Sequence, residues 1–269
     1  MLLFFLKGIL INLKFISFVD FMSIMFNVRQ VLKKNYAMII PKDASETNIP
    51  GWDGAKVRVL AAPIMGCNFV EYLIDLKDEG KVDVPAQDHP EYVFYVLEGK
   101  GVLDNGGEKY NLEKGSYGYL PPKSAWEINN VEGKEIEFLL VKKRYEPIDS
   151  KFPKIIIGLD RETPEISITP GRAIKNFVPY SDDIRYDLSW FILYFEPGTG
   201  MTHAENHLHE HGLYMMSGES LYLLDDTWYQ TIPGDFIWMS PYVPQSCQWY
   251  GVDRGAYLLY SNRNRDPYV

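Results

Sequence analysis

Two stretches of this chain match one another at a constant separation, and a chain written twice should fold as two like units. Tyr214 stands 119 residues after Tyr95, and the same separation joins Gly218 to Gly99, Tyr229 to Tyr110, Gly234 to Gly115 and Pro241 to Pro122. These five identities fall within Glu91–Trp126 and Glu210–Gln245 without a gap, three of them at turn-type residues. That is the mark of a duplicated unit.

Each copy reads as short strands. The run YVFYVLEG closes at Gly99, and Asp104-Asn105-Gly106-Gly107 is a hairpin signal. In the second copy GLYMMSG, SLYLLDD and WYQTIPGDFIWM repeat the scheme, with Asp225-Asp226 turning one hairpin and Pro233-Gly234 opening the next strand. No part of this region holds apolar residues at helical spacing over several turns. The expected fold class is therefore all-β: two tandem barrels of short antiparallel strands. A length of 269 residues suits two cores of ordinary size. We expect a first barrel over 27–150 and a second over 151–269. Arg144 to about Tyr180, with Pro147, Pro153, Pro164 and Pro170, reads as their connection and carries an apolar strand, Ile155–Gly158.

Residues 1–26 are apolar but interrupted by Lys7, Asn12, Lys14 and Asp20, and no run reaches the ~20 residues of a membrane span. They read as a wrongly assigned start or a loose apolar helix, with a membrane-surface anchor as the lesser alternative. The formal net charge of −9 and the lack of a Lys/Arg cluster argue against nucleic acid as a partner. Cys67 and Cys247 are far apart and read as reduced thiols in a cytoplasmic protein.

Chemistry concentrates between Gly200 and Gly218, where four of the five histidines lie, at 203, 207, 209 and 211. On a regular strand Glu205, His207, His209 and His211 share one face. Such a carboxylate and two imidazoles can close on one metal ion, although clustered histidines alone are equally compatible with a surface strand. The repeat suggests a fourth ligand. Gln245, four residues past Pro241, would cross the barrel to meet the histidine strand. His203 and His209 are expected to stand outside the ligand set, His209 joining only if the strand is bulged.

These residues resemble the two motifs of the cupin family: Gly200, Glu205-x-His207, His211 and Gly218 for the first, and Pro233-Gly234, Pro241 and Gln245 for the second. The Glu-His-His-Gln order resembles the (S)-ureidoglycine aminohydrolases, bicupin enzymes of allantoin breakdown that use manganese. The resemblance extends from about Asn27 and includes NYAMIIPKD (35–43), VEYLIDL (70–76), VKKRYEP (141–147) and NRDP (264–267). It implies a Mn²⁺-dependent hydrolase with a small ureido or carboxylate substrate, assembled as a homo-oligomer. Glu205, His207, His211 and Gln245 would hold the metal and Glu205 and Tyr257 would be catalytic, with Tyr222, Tyr257, Gln245 and Ser261 binding substrate. The donor set itself, fairly hard and without thiolate, also admits Fe²⁺, Co²⁺, Ni²⁺ or Zn²⁺. Ser261 stands where the family carries a lysine, so another cupin metalloenzyme (an oxygenase or isomerase) and a non-catalytic binding protein remain alternatives. The positions 119 before the four ligands are Ala86, Asp88, Tyr92 and Trp126, so the first barrel should hold no metal.

Overall fold

The computed structural model describes residues 29–262 apart from 132, 180 and 181; segment 1–26 and the closing motif 264–267 lie outside the described residues. The regular structure there is strand, with short 3-10 turns. Each half pairs a large sheet with a small one around a shared core. The first large sheet runs in the order Ile156–Leu159, Ser116–Leu120, Pro90–Glu98, Ile136–Arg144, Phe69–Leu76, Ala55–Ala61, Glu46–Thr47. Its small companion holds Lys81–Val84, Trp126–Asn129, Lys100–Asn105 and Glu108–Glu113. In the second half the central strands are Phe236–Met239, His211–Ser217, Gly255–Asn262, Leu188–Phe195 and Arg172–Asn176, with Ser220–Leu224 between Thr227–Thr231 and Gln245–Trp249 in the small sheet. All pairings between the described strands are antiparallel, as the two expected tandem barrels require.

The duplication reaches further than the sequence identities. Strands Phe69–Leu76 and Leu188–Phe195 stand 119 residues apart at both ends, as do the starts of Trp126–Asn129 and Gln245–Trp249. The repeated glycines are explained by their backbones: Gly99 and Gly218 have φ of 86° and 72°, Gly115 and Gly234 of 84° and 91°. A side chain is strained there. Sheet membership crosses the expected 150/151 division in both directions. Tyr36–Ile39 adds to the second barrel's sheet beside Phe236–Met239, and Ile156–Leu159 adds to the first beside Ser116–Leu120.

Three cores follow from strand alternation. One fills the first barrel around Tyr92, Phe94, Trp126 and Phe138. A second fills the other barrel around Tyr222, Ile237, Cys247 and Tyr257. The third joins the outer faces of the two large sheets, through Tyr95, Tyr119, Leu139, Trp190, Trp238 and Tyr260. The strand Gly255–Asn262 is buried at every position because both of its faces are covered. A buried carboxylate recurs at the repeat distance in this join: Tyr119 donates to Glu91 at 2.7 Å, and the Trp238 indole donates to Glu210 at 2.9 Å. No helix among the described residues is long and apolar enough to cross a membrane.

Candidate metal and substrate site

The histidine segment departs from the regular strand expected of it. The strand begins only at His211, and the chain bends at Leu208. Glu205 instead forms an isolated antiparallel bridge with Gln245, its N–H donating to the Gln245 carbonyl at 2.7 Å and the reverse bond measuring 2.9 Å. Residues so paired carry their side chains on one face of the sheet. The loop is pinned a second time where Tyr242 N–H donates to the His207 carbonyl at 2.8 Å and the Asn206 amide to the Tyr242 carbonyl at 3.1 Å. Tyr242 itself has φ 65°, and its counterpart Lys123 has φ 67°. Each follows a proline in a tight turn, so left-handed backbone is held at both copies without glycine.

This geometry gathers three of the expected ligands. His207 Nε2 lies 3.2 Å from His211 Nε2 and 2.9 Å from Gln245 Nε2. Two nitrogens bound at right angles at about 2.1 Å would stand roughly 3.0 Å apart, so the spacing fits a common ion. Tyr222 donates to Gln245 Oε1 at 2.8 Å. A half-turn of the amide would present its oxygen to the imidazoles, and a phenol accepts as well as it donates. Burial, then the neighbouring His207 and His209, hold His211 well below the ordinary imidazole range. Burial, followed by His207, also lowers His209. His211 therefore carries a free lone pair at neutral pH. The Nδ1 atoms of His207 and His211 are buried without a hydrogen bond.

Glu205 is brought close less completely. Its carboxylate lines the same cavity of about 210 Å³ as the two histidines and Gln245. Among the described residues no three His, Cys, Asp or Glu side chains converge tightly enough to hold an ion by themselves. The site is thus an imidazole pair and an amide, with an acid in the wall beside them. His209 also lines the cavity, its ring nearly parallel to that of His211 at 6.5 Å. His203 stays outside, 3.1 Å from the Thr202 hydroxyl.

The remaining expected residues surround this group. Ser261 is directly across the strands from both His211 and Ser189 and lines the cavity. Tyr257 lines it too, four positions along each strand, while Tyr222 lies fully buried behind Gln245. At the equivalent place in the first barrel, the rings of Tyr92 and Trp126 meet edge to face at 5.2 Å within the core. Aromatic volume has replaced the polar cavity there. Arg172, Ser189, Phe191 and Met201 also line the second cavity and were not singled out from the sequence. Arg172 lies inside the stretch that reads as a connection, which is why no signal marked it.

The chain resembles proteins already known. A family model described as "Cupin domain" matches residues 76–142. An (S)-ureidoglycine aminohydrolase from Arabidopsis thaliana is 34% identical over 245 residues, covering 89% of this chain and 79% of that enzyme. The chain belongs to the (S)-ureidoglycine aminohydrolase family. The family member from Escherichia coli (strain K12) is 30% identical over 238 residues, spanning 86% of this chain and 90% of its own length. The crystal structure of protein Ylba from E. coli superimposes with a TM-score of 0.81 at 29% identity, covering 92% of this chain and 99% of that one. Both barrels are therefore shared within the (S)-ureidoglycine aminohydrolase family.

Proposed function

We propose that this chain is a divalent-metal-dependent aminohydrolase that converts (S)-ureidoglycine and water to (S)-ureidoglycolate and ammonia. The observation that carries the reading is the meeting of His207, His211 and Gln245 at 2.9–3.2 Å in a cavity also lined by Glu205 and Tyr257. The family relatives named above supply the substrate.

Glu205, His207, His211 and Gln245 would hold the ion, and Mn²⁺ suits their mixed oxygen and imidazole donors. When bound, it supplies Lewis-acid polarisation of the substrate. The reaction replaces a carbon–nitrogen bond with a carbon–oxygen bond, and a proton from water leaves with the amine. Glu205 is the one carboxylate in the described cavity wall, so its Oε atoms are the place to hold that proton in transit. The Tyr257 hydroxyl, neutral because burial raises it well above the ordinary phenol range, can donate to the ureido carbonyl. Tyr222 keeps the Gln245 amide in place. Phe191, Leu193 and Leu259 supply the apolar part of the cavity wall.

Release of ammonia from freshly generated ureidoglycine by the Mn²⁺-loaded protein, faster than the spontaneous decay, tests the reading. A rate equal to the spontaneous one refutes it. Ser261 in place of the family's lysine favours one competing reading, a different reaction on the same metal. Iron in the purified protein together with oxygen uptake would select that alternative.

A further inference from the structure

The cavity contains a single described Lys or Arg side chain, Arg172, on the first residue of strand Arg172–Asn176. It sits across from Phe195, with its guanidinium carbon 5.3 Å from that ring's centroid. The Phe195 ring is itself held by Trp249 at 5.4 Å and Tyr257 at 5.5 Å. The guanidinium therefore rests on a packed aromatic shelf rather than waving in solvent. Its Nε is buried and makes no hydrogen bond.

Five of the six other described arginines show how such a side chain is ordinarily held, the exposed Arg144 being the exception. Arg29, Arg58, Arg161, Arg185 and Arg254 each meet a carboxylate within 3.1 Å. Arg172 has no ion pair and no hydrogen bond among the described residues, although its charge is felt inside the site. Burial raises the Tyr257 phenol far above its ordinary range, and the Arg172 charge pulls against that rise. A partly buried, unpaired fork of N–H donors beside a polar cavity is left to be satisfied by something that enters it. Glu205, the acid in the same wall, makes no ion pair with it.

We infer that Arg172 is the specificity-determining cation of this site, binding the carboxylate of an anionic substrate through its guanidinium fork while the metal-side groups engage the other end. Planar carboxylate and guanidinium match in two parallel bonds, which a neutral amide cannot reproduce. The cavity therefore selects α-substituted carboxylates, and Ser261, in the same cavity lining, needs no charge. This inference deepens the aminohydrolase reading and rests on it for the identity of the substrate's other end.

The test is equilibrium binding of N-carbamoylglycine and of its uncharged amide to the full Mn²⁺-loaded chain, by calorimetric titration, in the parent and in Arg172→Gln and Arg172→Lys. The parent should bind the carboxylate roughly 10- to 100-fold more tightly than the amide. Arg172→Gln should lose that preference while amide affinity stays within about threefold, and Arg172→Lys should keep part of it. A structural role for Arg172 would weaken both ligands alike. A parent that binds neither ligand or shows no preference, or an Arg172→Gln variant that keeps it, overturns the assignment. Should Arg172→Gln unfold, an undiminished preference in Arg172→Lys also overturns it, because the bidentate fork is gone. Ammonia release from ureidoglycine is measured on the same samples. No release with an Arg172-dependent carboxylate preference removes the aminohydrolase reading and leaves Arg172 in place. Release with the same KM in parent and Arg172→Gln does the reverse.

Discussion

Tyr222→Phe removes one oxygen atom from the molecule and probes how the Gln245 amide is held. The Tyr222 hydroxyl is fully buried and donates at 2.8 Å to Gln245 Oε1, on a residue only 3% exposed. No shape changes on substitution, so cavity and strain costs are small. What remains is an amide end with no partner in a dry place, which costs about 1–3 kcal/mol. At roughly 2–4 °C per kcal/mol for a chain near this size, the melting temperature should fall by about 2–12 °C. The amide also loses the contact that fixes its rotation, so Mn²⁺ affinity should drop by about 10- to 100-fold, as for other residues that orient a ligand from behind. Differential scanning calorimetry gives the first quantity and competition against a chelating dye the second. An unchanged melting temperature together with unchanged Mn²⁺ affinity would refute the role given to Tyr222.

Two further substitutions probe the join between the barrels. Lys143 is 3% exposed and bridges Asp187 at 2.6 Å and Glu91 at 3.2 Å; Lys143→Ala leaves the buried Asp187 without its cation and should cost about 3–5 kcal/mol in chemical denaturation, whereas a loss below 1 kcal/mol would contradict the pairing. Glu71 is fully buried, and burial alone raises its carboxyl from 4.5 to about 8. The neutral form is the one that fits, so its contribution is whole below pH 4.5 and lost as pH rises through about 8. Glu71→Gln should then raise the melting temperature at pH 8.5 and change it little at pH 4.5; equal shifts at both would show that ionisation is not involved.

The duplication was legible because its turns are chemically strict. Gly99, Gly115, Gly218 and Gly234 are repeated since each backbone takes a positive φ, and strand alternation between those turns then gave two barrels. The candidate positions 205, 207, 211 and 245 could be named from residue types at fixed spacing, but their conformation could not. A regular strand through Glu205 was expected, and the chain instead bends at Leu208 and pairs Glu205 with Gln245 by a single bridge. Long-range pairing of that kind leaves no local periodicity to read. Edge strands exchanged across the midpoint were hidden for the same reason: Tyr36–Ile39 gives no sign that its partner is Phe236–Met239, some 200 residues on. Arg172 was missed because Pro164 and Pro170 give its neighbourhood the texture of a linker, yet the stretch supplies sheet to both barrels. Glu91 and Glu210 also repeat, but a carboxylate in an apolar strand suggests the surface until the tyrosine and tryptophan that bond it are known.

The binding of one ion in the second barrel alone is tested most directly by elemental analysis of the chain after Mn²⁺ loading and gel filtration. One divalent ion per chain is expected in the parent, and close to none in a His207→Ala, His211→Ala double variant that keeps the parent's circular dichroism. No retained ion in the parent, or a full equivalent in the double variant, would contradict a metal held by His207, His211, Gln245 and Glu205.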